Sequence, residues 1–169
     1  MKMWKKLAAC VLAAAMALTL LTACGGGGGS ASGGSVDRSF ASASFAQSVN
    51  DKLAAKGSNL KLKHDDALKA KAEIIAKGMS MSASEVSGMS QSELMNVITK
   101  KLQKALLDAD LDYTKEDMGY AYGPSDDVMA DKLAGAFATN TAEKADKAGF
   151  AKCKIGEQNF VFTVYSYTR

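Results

Sequence analysis

Phe150-Ala151-Lys152-Cys153-Lys154-Ile155, a break at Gly156-Glu157-Gln158-Asn159, then Phe160-Val161-Phe162-Thr163-Val164-Tyr165-Ser166-Tyr167: this closing stretch decides the fold. Aromatic and β-branched residues dominate it, and the Gly-led break between the two runs predicts a β-hairpin. In the second run both alternating sets are apolar, Phe160, Phe162 and Val164 on one side and Val161 and Tyr165 on the other. A strand of that kind is expected to be covered on both faces by other layers.

Upstream, the periodicity is helical. Phe45, Val49 and Leu53 form a stripe on a first helix over about Ala43 to Lys56, closed by Gly57. Leu60 and Leu62 alternate with polar residues in a short extended stretch. Asp65 and Asp66 offer an N-cap to a second helix with Leu68, Ala72, Ile75 and Met79 on one face, ended by Gly78 and the following serines. Ser82 to Glu85 and Ser90 to Glu93 both match the capping box. The second box opens a helix to about Leu107 with Leu94, Ile98, Leu102 and Ala105 inward. Tyr120-Ala121-Tyr122 reads as a brief strand stopped by Gly123-Pro124. Ser125 or Asp126 then caps a helix carrying Met129, Leu133 and Phe137, and Thr141 opens a helical turn. Helices first and strands last, with a doubly covered sheet, predict an α/β fold: an α-β-α sandwich with helices on both faces of a small, mostly antiparallel sheet.

The first residues are a different kind of sequence. Lys2, Lys5 and Lys6 precede an apolar run from Leu7 through Leu21, shorter than the roughly 20 residues of a membrane span. Leu21-Thr22-Ala23-Cys24 resembles a lipobox. It predicts a signal peptide over residues 1–23, cleavage before Cys24 and acylation of the Cys24 thiol. Residues 24–42 begin with an almost pure Gly/Ser/Ala tract, a flexible tether, and residues 43–169 form one domain. The expected location is outside the cytoplasmic membrane, at the cell surface in a Gram-positive host. Three of the 21 basic residues, Lys2, Lys5 and Lys6, precede the cut and no acidic residue does, which leaves 18 against 18. A neutral domain gives no electrostatic case for nucleic acid.

Three stretches resemble, in order, the CAP superfamily, which includes the bacterial SCP-like domains. Asn50, followed by Leu60-Lys61-Leu62-Lys63-His64-Asp65-Asp66-Ala67-Leu68, is similar to the family's "Asn … Leu-x-Trp-Asp-x-x-Leu" entry into its second helix, with His64 where a Trp is usual. Gly119-Tyr120-Ala121-Tyr122-Gly123 and the helix after it resemble its "Glu-Asn-Ile-Ala-Tyr-Gly" strand and following helix. Phe150 to Tyr167 resembles its closing strands. The resemblance implies a CAP-like fold over nearly the whole domain. The family's cavity of two His and two acidic residues is not carried over, because the chain has a single His and Met118 or Gly119 stands where the family has Glu. The metal and the hydrolysis tied to that cavity are not carried over either.

The remaining candidates are weaker. His64, at a helix start, reads first as a partly buried structural residue. The run Asp108, Asp110, Asp112, Thr114, Glu116, Asp117 has a calcium-loop rhythm, but Tyr113 and Gly119 stand where such a loop needs Gly and a bidentate acid. The default reading is a solvated helix end. One His and one thiol fall short of a zinc site, so no metal or other cofactor is expected. No Gly-x-Ser-x-Gly elbow is present. Cys153, alone in the domain, reads as a buried small residue or as a thiol that pairs between molecules. Met79, Met81, Met89 and Met95 cluster around the second and third helices, as core filling or as an adaptable lipid or peptide groove. Tyr120, Tyr122, Tyr165 and Tyr167 lie on strands expected to come together, either as an exposed binding platform or packed beneath helices. Tyr120, Tyr122, Met79 and Met95 are the candidate ligand-binding residues. The expected function is a non-catalytic binding module for a cell-envelope component, lipid or peptide. The alternative is a hydrolytic enzyme with a carboxylate or Tyr site.

Overall fold

The computed structural model describes residues 36–139 and 145–167. The signal-peptide run, Cys24, the start of the tether and the turn expected at Thr141 lie outside them. The described chain is mixed α/β. Its elements are α1 (Ser42–Ala55), β1 (Lys63–His64), α2 (Asp66–Met79), α3 (Ala83–Val86), α4 (Gln91–Asp108), β2 (Glu116–Tyr122), α5 (Asp126–Thr139), β3 (Ala145–Ile155) and β4 (Gln158–Tyr167). The strands form one open sheet in the order β1-β3-β4-β2. Both β2 and β3 run antiparallel to β4, but β1 is parallel to β3, so the sheet is mixed.

Local chemistry sets the helix ends. Gly57 adopts φ +75°, a left-handed conformation open to glycine at little cost. Its N–H reaches Ala54 O at 2.9 Å while Ser58 N–H reaches Leu53 O at 3.0 Å, the paired bonds of a Schellman close. The Asp65 carboxylate accepts from Ala67 N at 3.0 Å and Leu68 N at 3.1 Å at the start of α2. Both capping boxes form. The Ser125 hydroxyl accepts from Val128 N at 3.4 Å at the start of α5.

Each sheet face has its own core. Under α2 and α4, Leu68, Ile75, Met79, Ile98 and Leu102 pack against Ala151, Cys153, Ile155, Phe160, Phe162 and Val164. Under α1 and α5, Val49, Leu53, Met129, Leu133 and Phe137 pack against Ala121, Ala148, Phe150 and Val161. Helices therefore cover both faces. The alternation along β4 sends Phe160 and Phe162 to one core and Val161 to the other.

Three expectations are corrected. Gly78 does not end α2, which runs through Met79. Gly78 instead lets α4 approach, because a Cβ placed there would lie 2.7 Å from Ala105 Cβ. The acidic run is not only a helix end: α4 stops at Asp108, but Glu116 and Asp117 already belong to β2. Glu116 can enter the sheet because Lys71 Nζ meets its carboxylate at 2.6 Å. Third, β3 starts at Ala145 rather than Phe150. Gly149, inside that extension, faces α2 so closely that a Cβ would collide with the backbone of Leu68 and Lys69. The two-residue β1 is parallel to β3, and the sheet is mostly antiparallel, as expected.

The two sheet edges are closed differently. Along the outer side of β3, Asp65 N–H donates to Ala148 O at 3.1 Å, Asp37 N–H to Lys152 O at 2.8 Å and Met81 N–H to Lys154 O at 3.1 Å. Ser42 Oγ accepts from Phe150 N at 3.1 Å. Val36 also bridges to Cys153 there, so the stretch read as tether touches the sheet through Val36, Asp37 and Ser42. At the other edge, β2 pairs with β4 alone, and its own neighbours tie it off. Met118 N–H donates to Asp117 Oδ1 at 2.9 Å, and Lys132 Nζ donates to Tyr122 O at 2.8 Å. Charged groups on an edge discourage pairing with further strands.

Candidate functional site

Met118, Tyr120 and Tyr122 lie on the face of β2 turned toward α2 and α4, because they pair in register with Val164, Phe162 and Phe160. Above them α4 packs closely on α2, and its Ile98 and Leu102 reach the sheet core. The two tyrosines and Met118 stay half-exposed. A crevice opens beside them, lined by Met79, Ile98, Leu102, Met118, Tyr120, Ile155, Phe160 and Phe162. It is shallow, with an enclosed volume of about 10 Å³, room for about one water molecule. Tyr120 stacks near Phe160 and Phe162, at ring-centroid distances of 6.4 and 6.2 Å, and Tyr122 lies 5.6 Å from Phe160. Lys132 Nζ sits 4.0 Å over the Tyr122 ring.

Two of the four candidate ligand-binding residues, Met79 and Tyr120, thus meet in one crevice. Tyr122 continues its aromatic wall, and half-buried Met95 packs against the same core without lining the crevice. Met81, by contrast, is fully packed in the core. The four tyrosines do not form one platform. Tyr165 lies on the opposite face, edge-on to Phe137 at 5.1 Å, with Tyr167 beside it at 6.5 Å. The signal for that split was present in the sequence, since Tyr165 shares the parity of Val161, not of Phe160.

The groups able to do chemistry are engaged elsewhere. His64 Nδ1 lies 3.4 Å from Ser42 Oγ and its Nε2 lies 3.2 Å from Asp66 Oδ1. Sequence reasoning missed this Ser42–His64–Asp66 line, because Ser42 comes from a helix start with no motif around it. Ser42 is 3% exposed, and its oxygen accepts the Phe150 N–H, so it closes the sheet edge and does not face a cleft. Glu116 accepts from Lys71 Nζ and from Asp112 N at 2.9 Å, while Lys71 Nζ also donates to Asp110 O at 2.9 Å. The position a cation would take in the acidic loop is thus filled by an ammonium. Asp112 is held down to a pKa of about 2, first by the Thr114 hydroxyl and then by Lys115. Burial pushes the Cys153 thiol up to about 12, which removes the thiolate needed for nucleophilic work. Among the described residues, no group of three or more His, Cys, Asp or Glu side chains is placed to hold a metal ion. No helix among them is long and apolar enough to cross a membrane. No protein-family model, curated protein sequence or solved structure matches this chain.

Proposed function

We propose that this chain is a lipid-anchored, non-catalytic binding module, a degenerate CAP-like domain held outside the cytoplasmic membrane by acylated Cys24. On this reading it takes a cell-envelope component, lipid or peptide, on the Tyr120–Tyr122 face. The observation that carries the reading is a contrast. Aromatic and Met side chains stand half-exposed around an apolar crevice, while the single imidazole, the buried acid and the thiol are spent on structural contacts. Apolar pockets with few polar groups are the usual form of a ligand site. The element order, with a closing hairpin and helices on both faces, supports the CAP-like reading.

The test has two parts. Cells fed an alkyne fatty acid should label the wild-type chain and not Cys24→Ser. The purified protein should then retain a component from fractionated envelope, and Tyr120→Ala with Tyr122→Ala should lose it. Retention unchanged by the double substitution would sink the assignment of this face.

A second reading, hydrolysis, rests on the Ser42–His64–Asp66 line. It requires Ser42 to react with a fluorophosphonate in the native protein. Burial of Ser42 and its bond to Phe150 N predict no labelling.

A further inference from the structure

We infer that the margin of the α2/α4 core is a site of reversible methionine oxidation by peroxide, and that the Met118 thioether on β2 is where the modification acts on the fold. The inference needs neither the lipid anchor nor a bound ligand. Of the nine methionines in the chain, Met1, Met3 and Met16 precede Cys24. The other six divide by exposure. Met79, Met81 and Met129 are buried, at 2%, 1% and 0% exposed. Met89, Met95 and Met118 are half-buried, and all three pack against the α2/α4 core. Among the described residues, the α1/α5 core has no half-buried methionine at its margin. Accessible sulfur is therefore gathered on one layer of the molecule.

The competing sulfur of the described chain is out of reach. Cys153 is 1% exposed and bridged by Val36, and burial pushes its thiol up to about 12. It offers a peroxide almost no thiolate. A thioether needs no ionisation. Its sulfur lone pair attacks one oxygen of hydrogen peroxide, the O–O bond breaks, and the proton on the transferred oxygen leaves with the departing hydroxide as water. Sulfur loses two electrons in becoming a sulfoxide, and the peroxide gains them. A dithiol enzyme of the sulfoxide-reducing class reverses the step, releasing the oxygen as water and becoming a disulfide.

Met118 differs from the other two in what its oxidation would disturb. It lines the crevice with Ile98, Leu102 and Phe162, and its strand has β4 as its one partner in the sheet. The crevice has room for about one water, so an added oxygen fits there. Turned inward, that oxygen meets apolar walls and a single polar side chain, Tyr120, and burying a polar atom in such surroundings is costly. Turned outward, it withdraws the side chain from the crevice wall. Either way the packing of β2 beneath α4 weakens. Met89, in the loop between α3 and α4, and Met95, on α4, do not line the crevice.

The test exposes the purified full chain to hydrogen peroxide at neutral pH, with peptide mapping by mass spectrometry over time. Met89, Met95 and Met118 should oxidise about tenfold or more faster than Met79, Met81 and Met129, and urea should close that gap. Oxidised protein should melt lower by about 3 °C or more. Met118→Leu should remove most of this shift, and Met89→Leu should leave it in place. Treatment of the oxidised wild type with sulfoxide reductases and a dithiol should restore the transition in step with loss of the Met118 sulfoxide. That arm holds even if Met118→Leu folds poorly. Protection of Met118 equal to that of Met79, an unchanged transition in protein oxidised at Met118, or a shift that persists in folded Met118→Leu overturns the inference.

Discussion

Replacing Gly78 by alanine should destabilise the protein, although the same change at Gly135 should stabilise it. Both glycines are helical, Gly78 one residue from the end of α2 and Gly135 inside α5. Alanine is favoured over glycine in helix interiors by about 0.8–1.0 kcal/mol. At Gly135 a Cβ meets nothing within 4 Å, so most of that gain should appear. At Gly78 the added Cβ falls 2.7 Å from Ala105 Cβ and 3.4 Å from Ala105 Cα. Carbon atoms are comfortable at about 3.5–4.0 Å, so α2 and α4 must part by about 1 Å. The contact is between two short, stiff side chains, and neither can rotate away. Overpacking of this kind costs about 1–3 kcal/mol. Less a propensity gain of at most about 1 kcal/mol, the net loss should be about 0–2 kcal/mol, placing the two variants about 1–3 kcal/mol apart. Urea unfolding followed by circular dichroism, with all chains carrying Cys24→Ser, measures both. Adding Ala105→Gly to Gly78→Ala restores clearance, so the pair should show a favourable coupling of about 1 kcal/mol or more. If Gly78→Ala raises stability as much as Gly135→Ala, the close helix crossing is wrong, and with it the placement of α4 that leaves the crevice open.

Other outcomes follow from the same contacts. Lys71→Ala leaves Glu116 buried with only the Asp112 amide, and should cost about 1–3 kcal/mol by urea unfolding; a neutral result would mean Glu116 is solvated. Backbone bonds from Leu68 and Ala67 hold Asp65 below its ordinary value of 3.8. Its folded pKa is depressed, so its stabilisation is present above that value and disappears as pH falls through the lower folded one. Asp65→Ala should therefore cost about 0.5–2 kcal/mol at neutral pH and less as the pH is lowered, as read from denaturation across the acid range. Cys153, 1% exposed, should resist iodoacetamide at pH 8 until the protein unfolds. Fast alkylation of the native chain would contradict its burial. Asn50 holds both backbone groups of Leu62, at 2.9 and 2.8 Å, and Asn50→Ala should cost about 1–3 kcal/mol by leaving them without those bonds.

What the sequence revealed was mostly local. The capping boxes at Ser82 and Ser90, the Asp65 cap, the Gly57 close and the inward faces of α2, α4 and α5 depend on residues a few positions apart. The hairpin of β3 and β4 announced itself through β-branched and aromatic residues. What stayed hidden depends on distant partners. Ala145 to Gly149 carries no strong strand former, and joins β3 because β4 pairs with it and the α2 backbone lies over Gly149. Glu116 and Asp117 looked like solvent-facing acids because Lys71, 45 residues away in sequence, is what admits Glu116 to the sheet. Ser42 had no visible purpose until Phe150, 108 residues on, supplied an amide for it. The candidate site was half legible. Met79 and Tyr120 follow from facing elements, but that Ile98 and Leu102 of α4 face Met118 and Tyr120 across a crevice depends on tertiary packing that periodicity does not encode.

The crevice and the spent polar groups belong to one explanation. A short parallel strand and three isolated contacts must close the outer side of β3, and the chain uses Ser42, with His64 behind it, to do so. The entry of β2 lies beside the end of α4, where Lys71 and Glu116 are consumed in holding the turn. With those residues committed to joining elements, the crevice is left to side chains of α2, α4 and the sheet that carry no charge. The site is apolar because the side chains that line it are Met, Ile, Leu and Phe beside a single Tyr. Recognition there must come from shape and burial. Of the side chains lining the crevice, all are apolar except Tyr120.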